Sequence, residues 1–154
     1  MRCGFSSEAR RGLRAERGAV AVEFAVLLPV FLLLVFGIMD FGHAFYMKQM
    51  VSNASREGAR YGTRYTTNDA GTHLIPNAFS PTITSWVSSK YSSLLPADAN
   101  LQVIPGGAGY TSGIAGADLS VAVTATKHWW VVGSLVPGLG PTVAIPVTTV
   151  MTVE

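Results

Sequence analysis

Glu23 is the residue with the most to explain. It is the only charge between Ala19 and Met39, in the run AVAVEFAVLLPVFLLLVFGIM. An ionised carboxylate in a bilayer costs on the order of 3 kcal/mol or more, so an acid there points to a function. Two readings are open. Glu23 lies near the start of the run and can snorkel to the headgroups, or it meets a cation. A free α-amino group would serve if the chain were cut just before Ala19. Glu23 would then be the fifth residue of the new chain, and the amine of a neighbouring copy could pair with it.

Other residue types with chemical potential are not grouped in ways that support catalysis. His43, His73 and His128 are scattered and form no HxxxH-type ligand pair. Asp98 and Asp118 stand alone in the sequence. Gly106-Gly107-Ala108-Gly109 does not follow a strand and open a helix as a phosphate cradle does, and reads as a flexible turn. The single cysteine, Cys3, permits no intrachain disulfide and has no apolar segment before it of the kind a lipoprotein signal needs. The expectation is a protein that is not an enzyme, with no metal, cofactor, small-molecule substrate or nucleic-acid partner.

The element that positions Glu23 is the apolar run itself. As a helix rising about 1.5 Å per residue it spans roughly 30 Å, the thickness of a bilayer hydrocarbon core. It shows no polar stripe, as a core helix of that length would. Pro29 removes one helical hydrogen bond and predicts a modest kink, either harmless or a hinge. Five of the eleven basic residues, Arg2, Arg10, Arg11, Arg14 and Arg17, precede the run, with two of the nine acidic ones, Glu8 and Glu16. Without residues 1–18 the formal charge of +2 becomes −1 before the new amine is counted. The basic character reads as a topology signal, holding the N terminus in the cytoplasm and sending the rest outside.

The block Gly18-Ala19-Val20-Ala21-Val22-Glu23-Phe24 resembles the processing site of type IV pilin-like precursors. The longer stretch is similar to the N-terminal region of the TadE/TadG-like family, minor pilins or pseudopilins of the tight-adherence (Flp) pilus. The matching elements are Arg17-Gly18, Glu23-Phe24, Leu28-Pro29, Phe36-Gly37, Asp40-Phe41-Gly42 and Arg56-Glu57-Gly58-Ala59-Arg60. Asp40 stands where the family pattern often has Glu. The resemblance implies a bacterial inner-membrane protein, crossing once, cut between Gly18 and Ala19 by a prepilin peptidase. It implies as partners the major Flp pilin, other pseudopilins, the inner-membrane assembly platform and membrane lipid. Two alternatives stand beside it. One is an uncleaved single-pass protein with an outer binding domain. The other is a secreted binding protein cut after Ala44, where Gly42-His43-Ala44 loosely resembles a signal-peptidase site.

The remaining pattern predicts an α+β, pilin-like chain. Residues 1–18 form a basic leader, 19–63 one long helix with 19–39 in the membrane, and 64–154 an outer head. Beyond Met39, Phe41, Phe45, Lys48, Ser52, Ser55, Ala59 and Gly62 keep the spacing of one helical face. Ala54, Gly58 and Gly62 form a small-residue row that admits a second backbone, unless the row is chance. Ser80 as N-cap and Pro81 as first residue start a short helix over 81–94. Strands follow over 101–104, 119–126 and 143–153, the first closed by Pro105, the last bearing Pro146 and so lying at an edge or bulging at that point. These make a three-stranded antiparallel sheet. The segment 129–141, beginning Trp129-Trp130, is too apolar for an ordinary loop. It faces the membrane interface, faces a partner subunit, or covers its own core.

Overall fold

The computed structural model describes the backbone from Ser7 to Glu154 and side chains from Val20 onward. The whole leader, residues 1–18 with Gly18 in it, and Ala19 therefore lie outside the residues whose side chains are described. The chain divides into two compact units, residues 1–39 and residues 40–154.

Helix α1 runs from Ser7 to Gly62, continuous through Pro29. It begins earlier than the expected Ala19. In the first unit the apolar side chains of the helix, among them Val22, Phe24, Val26 and Val30, are exposed. A helix apolar on all sides is what a bilayer solvates. Among the described residues, this is the one helix long and apolar enough to cross a membrane.

In the second unit, α1 acquires a buried stripe: Asp40, Met47, Val51, Ala54, Ser55, Gly58, Ala59 and Gly62. This corrects the expected face. Phe41, Phe45 and Lys48 are exposed. Three- and four-residue spacing fits two adjacent stripes of a helix, and the one holding Lys48 cannot enter an apolar core.

The stripe packs on a three-stranded antiparallel sheet of order β1-β2-β3, with β1 Gln102–Gly106, β2 Asp118–His128 and β3 Thr142–Thr152. The central strand alternates strictly. Leu119, Val121, Val123, Ala125 and Lys127 are all buried. Both prolines fall in edge strands, Pro105 opposite Val121 and Pro146 opposite Thr124, where a missing N–H costs no central ladder bond. Pro105 lies inside β1 and does not close it. Helix α2, Ile83–Tyr91, buries Ile83, Val87 and Tyr91. It starts two residues later than expected, because Thr82 and not Ser80 is the cap: its hydroxyl accepts the Ser85 N–H at 3.2 Å. It ends at Tyr91, before the expected 94. Gly107 and Ala108 do not sit in a flexible turn. A short helix α3, Ala108–Ser112, follows β1 directly, and a second, α4, Val132–Leu135, lies in the apolar segment before β3.

Candidate functional site

Two buried charges meet where the stripe of α1 begins. Asp40 and Lys127 are both fully buried, and the Lys127 Nζ donates to Asp40 Oδ1 at 3.1 Å. Alternation brings the lysine there. Counting by twos from Leu119 along β2 places residue 127 on the buried face. The helix brings the aspartate, seven residues before Met47 on the same stripe.

The carboxylate also collects three successive backbone donors. The Trp130 N–H reaches both oxygens at 3.1 and 3.2 Å, and the Val131 and Val132 N–H groups donate to Oδ2 at 2.9 and 3.1 Å. Consecutive N–H groups around one oxygen form an anion-binding concavity, and Val132 opens α4. Asp40 therefore caps, from a distant element, the turn of α4. Burial pushes the Asp40 carboxyl up. The N–H groups of Val131, Trp130 and Val132, with the Lys127 ammonium, outweigh it and hold the group well below the usual carboxylate range.

The lysine is satisfied too. It donates to the His128 carbonyl and lies 5.2 Å from the Trp129 ring centre and 4.9 Å from that of Trp130. Contact with two indole faces compensates part of the hydration it gives up. Trp129 meets Phe41 edge-on at 5.6 Å, and Trp130 stacks on His43 at 5.1 Å. Burial and the nearby Lys127 charge keep the His43 imidazole below its ordinary value, against the opposing pull of Asp40 and Asp98.

The structure thus gathers residues that are distant in sequence. His43, Asp98 and His128 line one small cavity of about 100 Å³ with Trp130. The His128 ring and Asp98 carboxylate approach only to 4.0 Å, and among the described residues no group of acids and histidines is arranged to hold a metal.

The small-residue row faces the chain's own head. A Cβ at Gly58 would lie 2.9 Å from Val87 and 3.1 Å from Val121. At Gly62 it would lie 2.6 Å from both Ile83 and Leu119. Ala54 is buried in the same core. Between them the Ser55 hydroxyl donates to the Val121 carbonyl at 2.7 Å and accepts from the Thr149 hydroxyl at 2.8 Å, tying the helix to β2 and β3.

Near the end of α1 a wide groove of about 930 Å³ is lined by Glu57, Arg60, Tyr61, Arg64, Trp86 and Lys90, with the end of β3. Tyr61 and Trp86 stack at 4.9 Å. Arg64 lies over Tyr61, Lys90 over Trp86, and Lys90 pairs with Glu57. Glu23 is exposed on α1 in the first unit.

Sequence reasoning missed Lys127. The signal was present: the β2 alternation continues one step further, and Asp40 has no lysine or arginine within four positions on its helix to answer it.

No curated protein and no solved structure matches the chain. The family model for TadE-like protein does match, over residues 18–60. The match begins at Gly18 and takes in Glu23, Asp40, Ala54 and Gly58. It ends before α2 and the sheet. Over residues 18–60 the chain is similar to TadE-like proteins.

Proposed function

We propose that the protein is a minor pilin or pseudopilin of the tight-adherence pilus. It is held in the inner membrane by residues 19–39 with its head outside, and is cut between Gly18 and Ala19 by a prepilin peptidase. The observation that supports this most is the TadE-like match opening at Gly18, with Glu23 as the lone charge in the apolar run. In this reading the new Ala19 amine meets Glu23 of a neighbouring pilin, so each charge answers the other in a low-dielectric setting. The partners are the major pilin, sister pseudopilins and the inner-membrane platform. The role is assembly, with no reaction catalysed.

A cut after Ala44 fits the fold poorly. It would detach Asp40 and leave Lys127 buried with no counter-charge, at a cost of about 3–5 kcal/mol.

The test is Glu23→Gln in the full chain, expressed in a piliated host. The mature band should form as in wild type, because the cut site is unaltered. Co-purification with the other pilins after mild detergent extraction should be lost. Normal co-purification together with normal piliation would overturn the pairing and leave Glu23 as a headgroup-level residue.

A further inference from the structure

The segment 129–141, WWVVGSLVPGLGP, has no charged side chain. Trp129 and Trp130 cover the buried Asp40–Lys127 pair, but the rest of the segment's apolar side chains turn outward. Trp130 is 61% exposed, Leu135 52%, Val136 46% and Leu139 38%, and Phe41 on α1, which meets Trp129, is 50% exposed. A contiguous apolar surface of this kind on a folded head marks contact with something other than water.

Its backbone is prepared for a dry setting. The N–H groups of Trp130, Val131 and Val132 are taken by Asp40. Trp129 N–H donates to the Pro141 carbonyl and closes the base of the segment. Inside it, Ser134, Val136 and Leu139 N–H groups donate to Val131, Val132 and Val136 carbonyls. A loop meant for water has no need to satisfy its own polar groups in this way, whereas one in contact with lipid does.

The anchor also fixes where the segment lies. Asp40 follows Met39 directly on one uninterrupted helix, within about 2 Å of the end of the apolar run along the axis. What Asp40 holds is thereby tied to the residue that follows the apolar run.

We propose that residues 129–141 are a second membrane contact, a collar that rests its apolar side chains in the lipid interface around the point where α1 emerges. The occupant of this surface is lipid, since Asp40, which holds the segment, directly follows the apolar run in the chain and Trp is favoured where such a run meets the interface. The buried Asp40–Lys127 pair is the device that holds the collar down. The proposal rests on the membrane span and needs no pilus partner.

The test uses the full chain in phosphatidylcholine vesicles. Of the three tryptophans, Trp86 lies on α2, away from the segment. In W86F the emission comes from Trp129 and Trp130. Lipid brominated just below the headgroup should remove most of it, and aqueous iodide should remove little. The W129F/W130F variant, which keeps only Trp86, should show the reverse ordering. W130F alone gives a second reading if the double variant fails to fold: its lipid-quenched share should fall. Quenching of W86F by iodide and not by brominated lipid would overturn the proposal and leave the surface to a protein partner. Resistance of W86F to both quenchers would overturn it as well, because the segment would then be covered by protein.

Discussion

Residues 20–39 and residues 40–62 are one helix with opposite relations to their surroundings. The first stretch is apolar on every side and buries none of it. The second is mixed in composition and buries one stripe, from Asp40 to Gly62, to near-complete exclusion of solvent. The same helical backbone serves both, short of one bond at Pro29, so the difference lies in the side chains. Lipid accepts any apolar face and asks only that the backbone be satisfied. A sheet asks for shape, and the helix answers with Ala54, Gly58 and Gly62, whose missing side chains let Ile83, Val87, Leu119 and Val121 come close. The change occurs at Asp40, the first residue of the second unit and the one buried acid among the described residues.

The contrast can be broken most strongly at that acid. Asp40→Asn leaves Lys127 buried without a counter-charge and should cost about 3–5 kcal/mol of head stability, read as a lowered Tm of the full chain in detergent. Lys127→Met should be similarly damaging, while Asp40→Asn with Lys127→Met together should recover much of the loss, because no buried charge remains and the amide oxygen still accepts from the backbone N–H groups of the segment. If the double variant is as unstable as the sum of the singles, the pair is not the source of the cost. The pair also has a pH signature. Its folded carboxyl is held below its unfolded value, so its contribution is complete above the unfolded range near about 4 and declines as pH falls toward the depressed folded value. Stability should therefore fall on acidification and should do so less in the double variant.

Shape comes next. Gly62→Leu should cost about 1–3 kcal/mol, since even its Cβ meets Ile83 and Leu119 at 2.6 Å. Gly37→Leu, in the first stretch, should leave Tm unchanged, as nothing lies within 4 Å of a Cβ there. Equal effects at the two glycines would erase the distinction between the halves. The smallest effect belongs to Ser55→Ala, about 1 kcal/mol, from loss of the hydroxyl bonds to Val121 and Thr149.

Much of this was legible in the chain. The apolar run declares itself by length, and β2 by strict alternation, because a central strand with one buried face has nowhere else to put Leu119, Val121 and Val123. The exposed and buried faces of α1 beyond Met39 were harder. Spacing admits Phe41 and Phe45 as readily as Met47 and Val51, and only the sheet decides between them. The site was half visible: Asp40 stands out beside the run, but its partner lies 87 positions away. Lysine at the end of a buried alternation contradicts the usual preference of that side chain for water, and is permitted only because a carboxylate, a carbonyl and two indole rings are assembled around it. Gly106 to Gly109 misled for a local reason. Glycines read as a turn, while the chain uses Gly107, at φ +91° and where a Cβ would lie 2.5 Å from the Asp118 carbonyl oxygen, for a close approach to β2 ahead of α3.

The assignment of the first stretch as a processed pilin anchor is tested most directly by the intact mass of the protein extracted from membranes of a piliated host. The predicted result is a chain beginning at Ala19, and a chain retaining residues 1–18 when Gly18 is replaced by leucine. A wild-type chain that still carries residues 1–18, or one beginning at Phe45, would contradict it.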